Sequence, residues 1–205
     1  MRKFTVDGLR CVESDLIWPA TLESYRRRST STRYYNAGRS NAAGSITVVV
    51  GANIITLLPW VSPQTRCSFI SITFKVSTAL AGSNARLGVY TNVSRKTLYP
   101  NALLFDSGLI STASTGSKPT AISPAIDIAP GTLIWIALAT SGAITVAGGL
   151  IAGYYPFLGL TTALGATPQI GYQNAFAFAA LPNPCTSAFA TFAAAQVPLM
   201  GVALG

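Results

Sequence analysis

The chain has 205 residues with 14 Lys or Arg, 6 Asp or Glu and no His, which gives a formal charge of +8. Half of the residues are hydrophobic and only a tenth are charged, against about a quarter in an ordinary soluble domain, so disorder throughout the chain is excluded. Without His, most hydrolase and zinc mechanisms lose their usual acid–base or ligating side chain.

Residues 1–45 form the first predicted unit, an extended N-terminal arm. They hold eight of the fourteen cations and four of the six acids. Residues 15–28 predict one short amphipathic helix after Asp15, interrupted early by Pro19, and residues 29–45 have the Ser, Asn and Gly content of a linker. Two early cations without an apolar stretch behind them argue against a secretory signal. We therefore expect an arm that becomes ordered on a partner.

The strongest charged feature of the arm is a basic cluster with two tyrosines. Its residues are Arg26, Arg27, Arg28, Arg33, Tyr34 and Tyr35. The cluster is consistent with docking on an acidic neighbouring protein or with a solvated tail. It is also consistent with binding nucleic acid, because guanidinium groups neutralise phosphates and tyrosine rings stack on bases. A compact run of like charges is usually an interaction tail. We favour docking on another protein over nucleic acid.

After residue 45, short β-branched runs separated by Gly, Pro, Asn and Ser recur about every ten residues. This pattern is typical of an antiparallel sandwich or barrel. The predicted strands cover 46–50, 54–60, 67–76, 86–91, 103–112, 120–128, 132–140, 143–151 and 197–204, with Gly51–Asn53 as a hairpin-like connection. No long helical periodicity interrupts them. We predict one all-β domain over residues 46–205.

The run 67–76 alternates in hydrophobicity and predicts which face is buried. The alternation directs Ile70, Ile72, Phe74 and Val76 toward the core, and Phe69, Ser71, Thr73 and Lys75 away from it.

No charged residue follows Asp127, so a membrane span has to be considered. The window 133–153 is long enough for one transmembrane helix. It lacks flanking cations, and Ser141 and Gly142 interrupt it, so two strands around a turn are the better interpretation. Residues 153–196 are aromatic and uncharged and predict long loops against an apolar surface, such as a subunit interface. We expect no membrane insertion.

Little in the sequence points to catalysis. Only Asp106 and Asp127 supply carboxylates beyond residue 45, and no phosphate-loop, dinucleotide, zincin or nucleophile-elbow motif occurs. Cys11, Cys67 and Cys185 lie far apart without a CxxC pair, which predicts buried thiols in a reducing compartment, not disulfides or zinc. Asn92 begins a glycosylation pattern that needs a secretory context. We predict no enzyme, no cofactor and no metal.

Residues 86–142 resemble the β-sandwich domains of tailed-bacteriophage virion proteins, especially tail-fibre and receptor-binding tips. The shared elements are Arg86, Gly88 and Tyr90; Pro100, Leu103, Leu104, Asp106 and Gly108; the Ser/Thr/Gly-rich turn 111–116; and Pro130, Gly131, Trp135 and Ala137.

This resemblance implies an antiparallel, jelly-roll-like β-sandwich in a homotrimer with a structural or adhesive role in a virion assembled in the host cytoplasm. It implies that the arm anchors the chain to other virion proteins and that the sandwich contacts a host receptor or glycan. The alternative is a capsid decoration or cement protein whose arm stitches shell subunits together. A surface-polysaccharide depolymerase is a more distant third. The protein's position in an imaged particle, tail end or shell, separates the first two.

Overall fold

The computed structural model describes residues 3–6, 9–12, 34–36, 46–62, 66–94, 96–150, 158–159, 169–185, 189–192 and 196–205. These residues form seventeen β-strands and no helix. None of the described segments is therefore a helix able to cross a membrane. The prediction of an all-β class is confirmed.

The strands in chain order are β1 (Lys3–Val6), β2 (Leu9–Val12), β3 (Tyr34–Asn36), β4 (Ile46–Val50), β5 (Ile54–Val61), β6 (Cys67–Thr78), β7 (Asn84–Asn92), β8 (Pro100–Asp106), β9 (Ile110–Ser111), β10 (Gly116–Ser117), β11 (Thr120–Ile128), β12 (Leu133–Thr140), β13 (Ile144–Leu150), β14 (Gly171–Ala175), β15 (Ala190–Phe192), β16 (Gln196–Pro198) and β17 (Met200–Leu204).

Eight of these strands form an antiparallel jelly roll. β4 pairs with β13, β5 with β12, β6 with β11, and β7 with β8. The first sheet contains β4, β13, β6 and β11, and the second contains β5, β12, β7 and β8. Because β4 runs on into β5 and β12 into β13, the paired ribbon passes from one sheet to the other, which is jelly-roll connectivity. The predicted jelly-roll-like sandwich is confirmed.

The connection Gly51–Asn53 joins the two sheets, so the expectation of a hairpin there is wrong. β4 takes β13 as its partner and β5 takes β12 and β14. Asn53 turns the chain with a positive φ of 54°, a conformation that Asn tolerates better than most residues.

Shorter strands extend both sheets. β14 and β15 continue the second sheet beyond β5, and β9 pairs with β7. In the first sheet β16 pairs with β13, β10 with β6, and β17 lies between β6 and β3. β1 and β2 pair with each other. Three residues of the predicted linker 29–45 thus form a strand of the first sheet, while the predicted helix 15–28 lies outside the described residues.

The main core lies between the two sheets. Phe69, Ile72 and Phe74 from β6 face Leu87 and Ile136 from β7 and β12, and all five side chains are buried. Trp60 meets Phe69 edge to face, with ring centroids 4.9 Å apart. Burial of each such side chain contributes about 1.5–3 kcal/mol. This core holds the two sheets at a fixed distance.

A β-bulge at Ile70 reverses part of the predicted alternation in β6. Phe69 is fully buried and Ile70 is 38% exposed, the opposite of the prediction. Ala203 pairs with Ser71 but Leu204 pairs with Phe69, so β6 carries one residue more than β17 at Ile70. The extra residue changes the face of every residue before it. Beyond the bulge, Ile72, Phe74 and Val76 are buried as predicted.

A second apolar cluster covers the outer face of the second sheet. Tyr90 and Trp135 lie there beneath Leu181, Cys185 and Phe189. The latter three belong to the covering segment, defined as residues 176–189, of which the structure describes 176–185 and 189. This part of the predicted loop region lies on an apolar surface of its own chain.

β5 and β12 are consequently buried on both faces. Strands of that kind read as continuous hydrophobic runs. This explains why residues 133–150 resemble a membrane span in hydropathy but form β12 and β13 around the turn at Ser141 and Gly142, as the two-strand interpretation predicts.

Candidate functional site

The structure describes two of the six predicted arm residues, and both belong to the first sheet. Tyr34 and Tyr35 lie in β3 beside β17. The Tyr34 hydroxyl is 3.3 Å from the Ser71 hydroxyl oxygen, and Tyr35 packs against the core between the sheets. Arg26, Arg27, Arg28 and Arg33 lie outside the described residues. Packing against the core leaves Tyr35 less surface for stacking on a base.

A surface groove of about 620 Å³ lies beside the second sheet and is the candidate binding site. We call it the tyrosine groove. It is lined by Val93, Lys96, Thr97, Leu98, Tyr99 and Tyr172. Five of these residues belong to the β7–β8 connection. Tyr172 comes from β14, which is separated from β7 by β5 and β12, and its hydroxyl contacts the Leu98 carbonyl.

Asn92 fixes the β7–β8 connection from inside. Its side-chain carbonyl accepts the backbone N–H of Tyr99 at 2.9 Å and the indole N–H of Trp135 at 3.0 Å. Its amide nitrogen donates to the carbonyls of Ser94 and Thr97. Two donors and two acceptor sites are the full capacity of this amide. The Asn92 side chain therefore ties Ser94, Thr97 and Tyr99 of the connection to Trp135 of β12.

The aromatic wall of the groove is equally fixed. The Tyr99 and Tyr172 ring centroids are 4.8 Å apart, and the Trp135 ring lies 5.3 Å from Tyr172. The Tyr172 hydroxyl donates to the Leu98 carbonyl at 2.7 Å, and the Tyr99 hydroxyl accepts the Phe189 N–H at 2.8 Å. Burial raises the pKa of both tyrosines. Both rings therefore stay neutral at physiological pH and keep their orientation.

Lys96 and Thr97 present the polar chemistry of the groove. Both side chains are exposed. Within the described part of the chain no carboxylate pairs with the Lys96 ammonium, because Asp106 binds Arg86 and Asp127 accepts a hydrogen bond from Ser68. The groove thus combines immobilised aromatic rings with a hydroxyl and a free positive charge, which is chemistry for binding an anion-bearing ligand.

The Arg86–Asp106 pair is the strongest electrostatic contact described, and its role is structural. One guanidinium nitrogen of Arg86 donates to both oxygens of Asp106, at 2.9 and 2.8 Å. The carboxylate also accepts the N–H groups of Gly108 and Leu181. The carboxylate of Asp106 thus holds β7, the β8–β9 connection and the covering segment together, while the buried Nε of Arg86 has no hydrogen-bond partner among the described residues.

Sequence reasoning did not single out Lys96, Tyr99 or Tyr172. Tyr172 lies far from the loop in sequence, and only the pairing of β14 with β5 brings it there. The sequence feature that marks this loop is Asn92. From the sequence alone it is interpreted only as part of a glycosylation pattern, and not as a residue that holds the loop through hydrogen bonds. Both amide hydrogens of Asn92 are used inside the loop.

Comparison of the chain with family models, with curated proteins and with solved structures finds no match. No group of three or more potential metal ligands occurs among the residues that the structure describes. Function is therefore argued from the fold and the groove of this chain.

Proposed function

We propose that the chain is a non-enzymatic structural protein of a tailed-bacteriophage particle, a trimeric tail-fibre or baseplate appendage that contacts the host surface. The N-terminal arm anchors it to the particle. The observation that carries the proposal is the pairing of β4 with β13, β5 with β12, β6 with β11 and β7 with β8. Jelly rolls of this connectivity recur in viral capsid domains, which assemble into particles, and in lectin domains, which bind sugars.

Most of the residues that carry the phage resemblance lie in β7, β8 and β12 of the second sheet, which supports the proposal further. Arg86 binds Asp106, and Trp135 donates to Asn92. Gly88 lies under Leu181, where a Cβ would come within 2.3 Å of a Leu181 methyl carbon. The quoted motif is thus one connected architectural unit, which is what a shared fold with virion sandwiches requires.

Exposed apolar side chains support self-association. Leu109 and Leu104, beside and within the outermost strand β8, are 64% and 41% exposed. Val49 and Leu150 at the opposite side of the jelly roll are 66% and 55% exposed. Contact with further copies of the chain would remove these side chains from water.

Particle imaging tests the role. Antibodies against the purified protein should label particles of the phage that encodes the chain at the tail end, and antibodies absorbed with the protein serve as the control. Label spread over the shell would favour the decoration alternative. Purified particles without the protein would contradict both.

The oligomeric state tests the trimer separately. Sedimentation equilibrium of the full chain should give three times the chain mass of 21.4 kDa. A monodisperse monomer at micromolar concentration would contradict the trimer.

A further inference from the structure

We propose that the tyrosine groove binds an acidic saccharide of the host surface, a sugar chain that carries carboxylate groups. The inference rests on the proposed function and deepens it by naming the ligand class and its site. It combines the shape of the groove, its aromatic wall and the exposed Lys96 ammonium group.

The aromatic wall favours a sugar ring. Sugar rings expose patches of C–H groups, and their partial positive charge suits the negative face of an aromatic ring. The Tyr99 and Tyr172 rings contact each other at an interplanar angle of 57°, and each is held through its hydroxyl. Because these two side chains are already ordered, a ligand that packs on them loses little binding free energy to side-chain ordering. The volume of about 620 Å³ lies within the usual range of ligand sites.

The charge of the groove selects an acidic sugar over a neutral one. The exposed Lys96 ammonium finds no carboxylate partner among the described residues, so a ligand carboxylate supplies the missing charge. The Thr97 hydroxyl is next to it in the chain and offers a donor and an acceptor for sugar hydroxyls. A charge-assisted hydrogen bond is about twice as strong as a neutral one.

Rigidity of the loop makes the site ready-formed. The Ser94 hydroxyl accepts the backbone N–H groups of Lys96 and Thr97, at 3.3 and 3.0 Å. Asn92 closes the loop through four further contacts. The backbone N–H groups of Lys96 and Thr97 are therefore already bonded within the loop, which lowers the ordering cost of binding.

Titration calorimetry on the full-length protein tests this inference with four probes. Two are acidic, oligogalacturonate and 3′-sialyllactose, and two are their neutral counterparts, α-1,4-galacto-oligosaccharide and lactose. We expect saturable binding of at least one acidic probe, weaker at higher salt because the charges are partly exposed. Neutral probes should bind much more weakly.

Lys96→Gln assigns the binding to the groove. It should weaken acidic-probe binding about tenfold, equivalent to about 1.4 kcal/mol. Lys75→Gln is the matched control, because Lys75 is an exposed lysine of β6 in the other sheet. Absence of saturable binding to both acidic probes at millimolar concentration overturns the proposal, as does equal weakening by the two variants. Such a failure leaves tail-end labelling of particles unaffected, so it is distinguishable from failure of the proposed function.

Discussion

One guanidinium nitrogen of Arg86 lies 2.9 and 2.8 Å from the two carboxylate oxygens of Asp106. The contact joins β7 to β8, and the same carboxylate accepts the Leu181 N–H at 3.0 Å. Two neighbouring strands and the covering segment therefore meet at one charged group. Both side chains are less than a fifth exposed, so water screens the pair only partly.

Asp106→Asn should destabilise the fold, because it leaves the Arg86 charge without its partner. We expect the free energy of unfolding to fall by about 2 kcal/mol, in the range for a hydrogen bond to a charged group. Urea denaturation measures the change. Asp127→Asn is the control, since that exposed carboxylate contacts only the Ser68 hydroxyl among the described residues, and it should cost less than about 0.5 kcal/mol. Equal effects of the two variants would contradict a central role for Asp106.

Gly88→Ala should displace the Leu181 side chain of the covering segment. An added Cβ would come within 2.3 Å of a Leu181 methyl carbon, so that side chain has to leave its place in the outer cluster. We expect a loss of about 1–3 kcal/mol, typical of overpacking. Chemical denaturation of a double-mutant cycle with Leu181→Ala isolates the contact, because Gly88→Ala should be nearly neutral where Leu181 is already truncated. A persistent penalty there would place the strain elsewhere.

The β6 bulge gives a matched pair of variants. Phe69→Ala should cost about 3–5 kcal/mol, because Phe69 is fully buried in the core between the sheets. Ile70→Ala should cost less than about 1 kcal/mol, because its side chain is 38% exposed. Thermal and urea unfolding measure the free energy of unfolding of the two variants, and the comparison shows which of the two side chains is buried. A larger loss of stability for Ile70→Ala than for Phe69→Ala would contradict the bulge and favour the uninterrupted alternation predicted from the sequence.

This pair also shows how far the sequence predicts the fold. Strand positions follow from runs of β-branched residues, and 46–50 and 120–128 have the bounds of β4 and β11. The Ile70 bulge escapes prediction because it depends on partners from β17 and β11, which lie far along the chain. Periodicity within one strand carries no information about an extra residue relative to its partner.

The candidate site is less predictable than the fold. Lys96 and Thr97 lie in a short polar connection that sequence alone identifies as a loop. Tyr172 belongs to the same sheet through the strand order β14–β5–β12–β7. The sequence of a single strand does not determine which strands become its neighbours, so this order could not be predicted. A site built from separate strands can be predicted only once the sheet topology is known.

Alkaline pH should destabilise the protein partly through Cys185. Burial raises the pKa of this thiol from 9.0 to about 12. Between these values the unfolded chain loses a proton that the folded chain retains, so stability is full below pH 9 and declines as pH rises toward 12. Denaturation at stepped pH should show a shallower decline in Cys185→Ala than in the unchanged protein. Parallel declines would exclude this thiol as a source.

Two deletions separate the structural and anchoring roles of the arm. Removal of residues 1–33 retains β3, in which Tyr35 pairs with Val202 and packs on the core. Removal of residues 1–45 also exposes the edge of β17, and should lower the free energy of unfolding by about 2 kcal/mol more, the value for burying one large side chain. Tyr35→Ala in the full chain should reproduce that stability loss while retaining incorporation into particles. If the arm anchors the protein, both deletions abolish incorporation, because both lack the Arg26–Arg28 cluster. Normal incorporation of the 1–45 deletion would instead assign attachment to the sandwich.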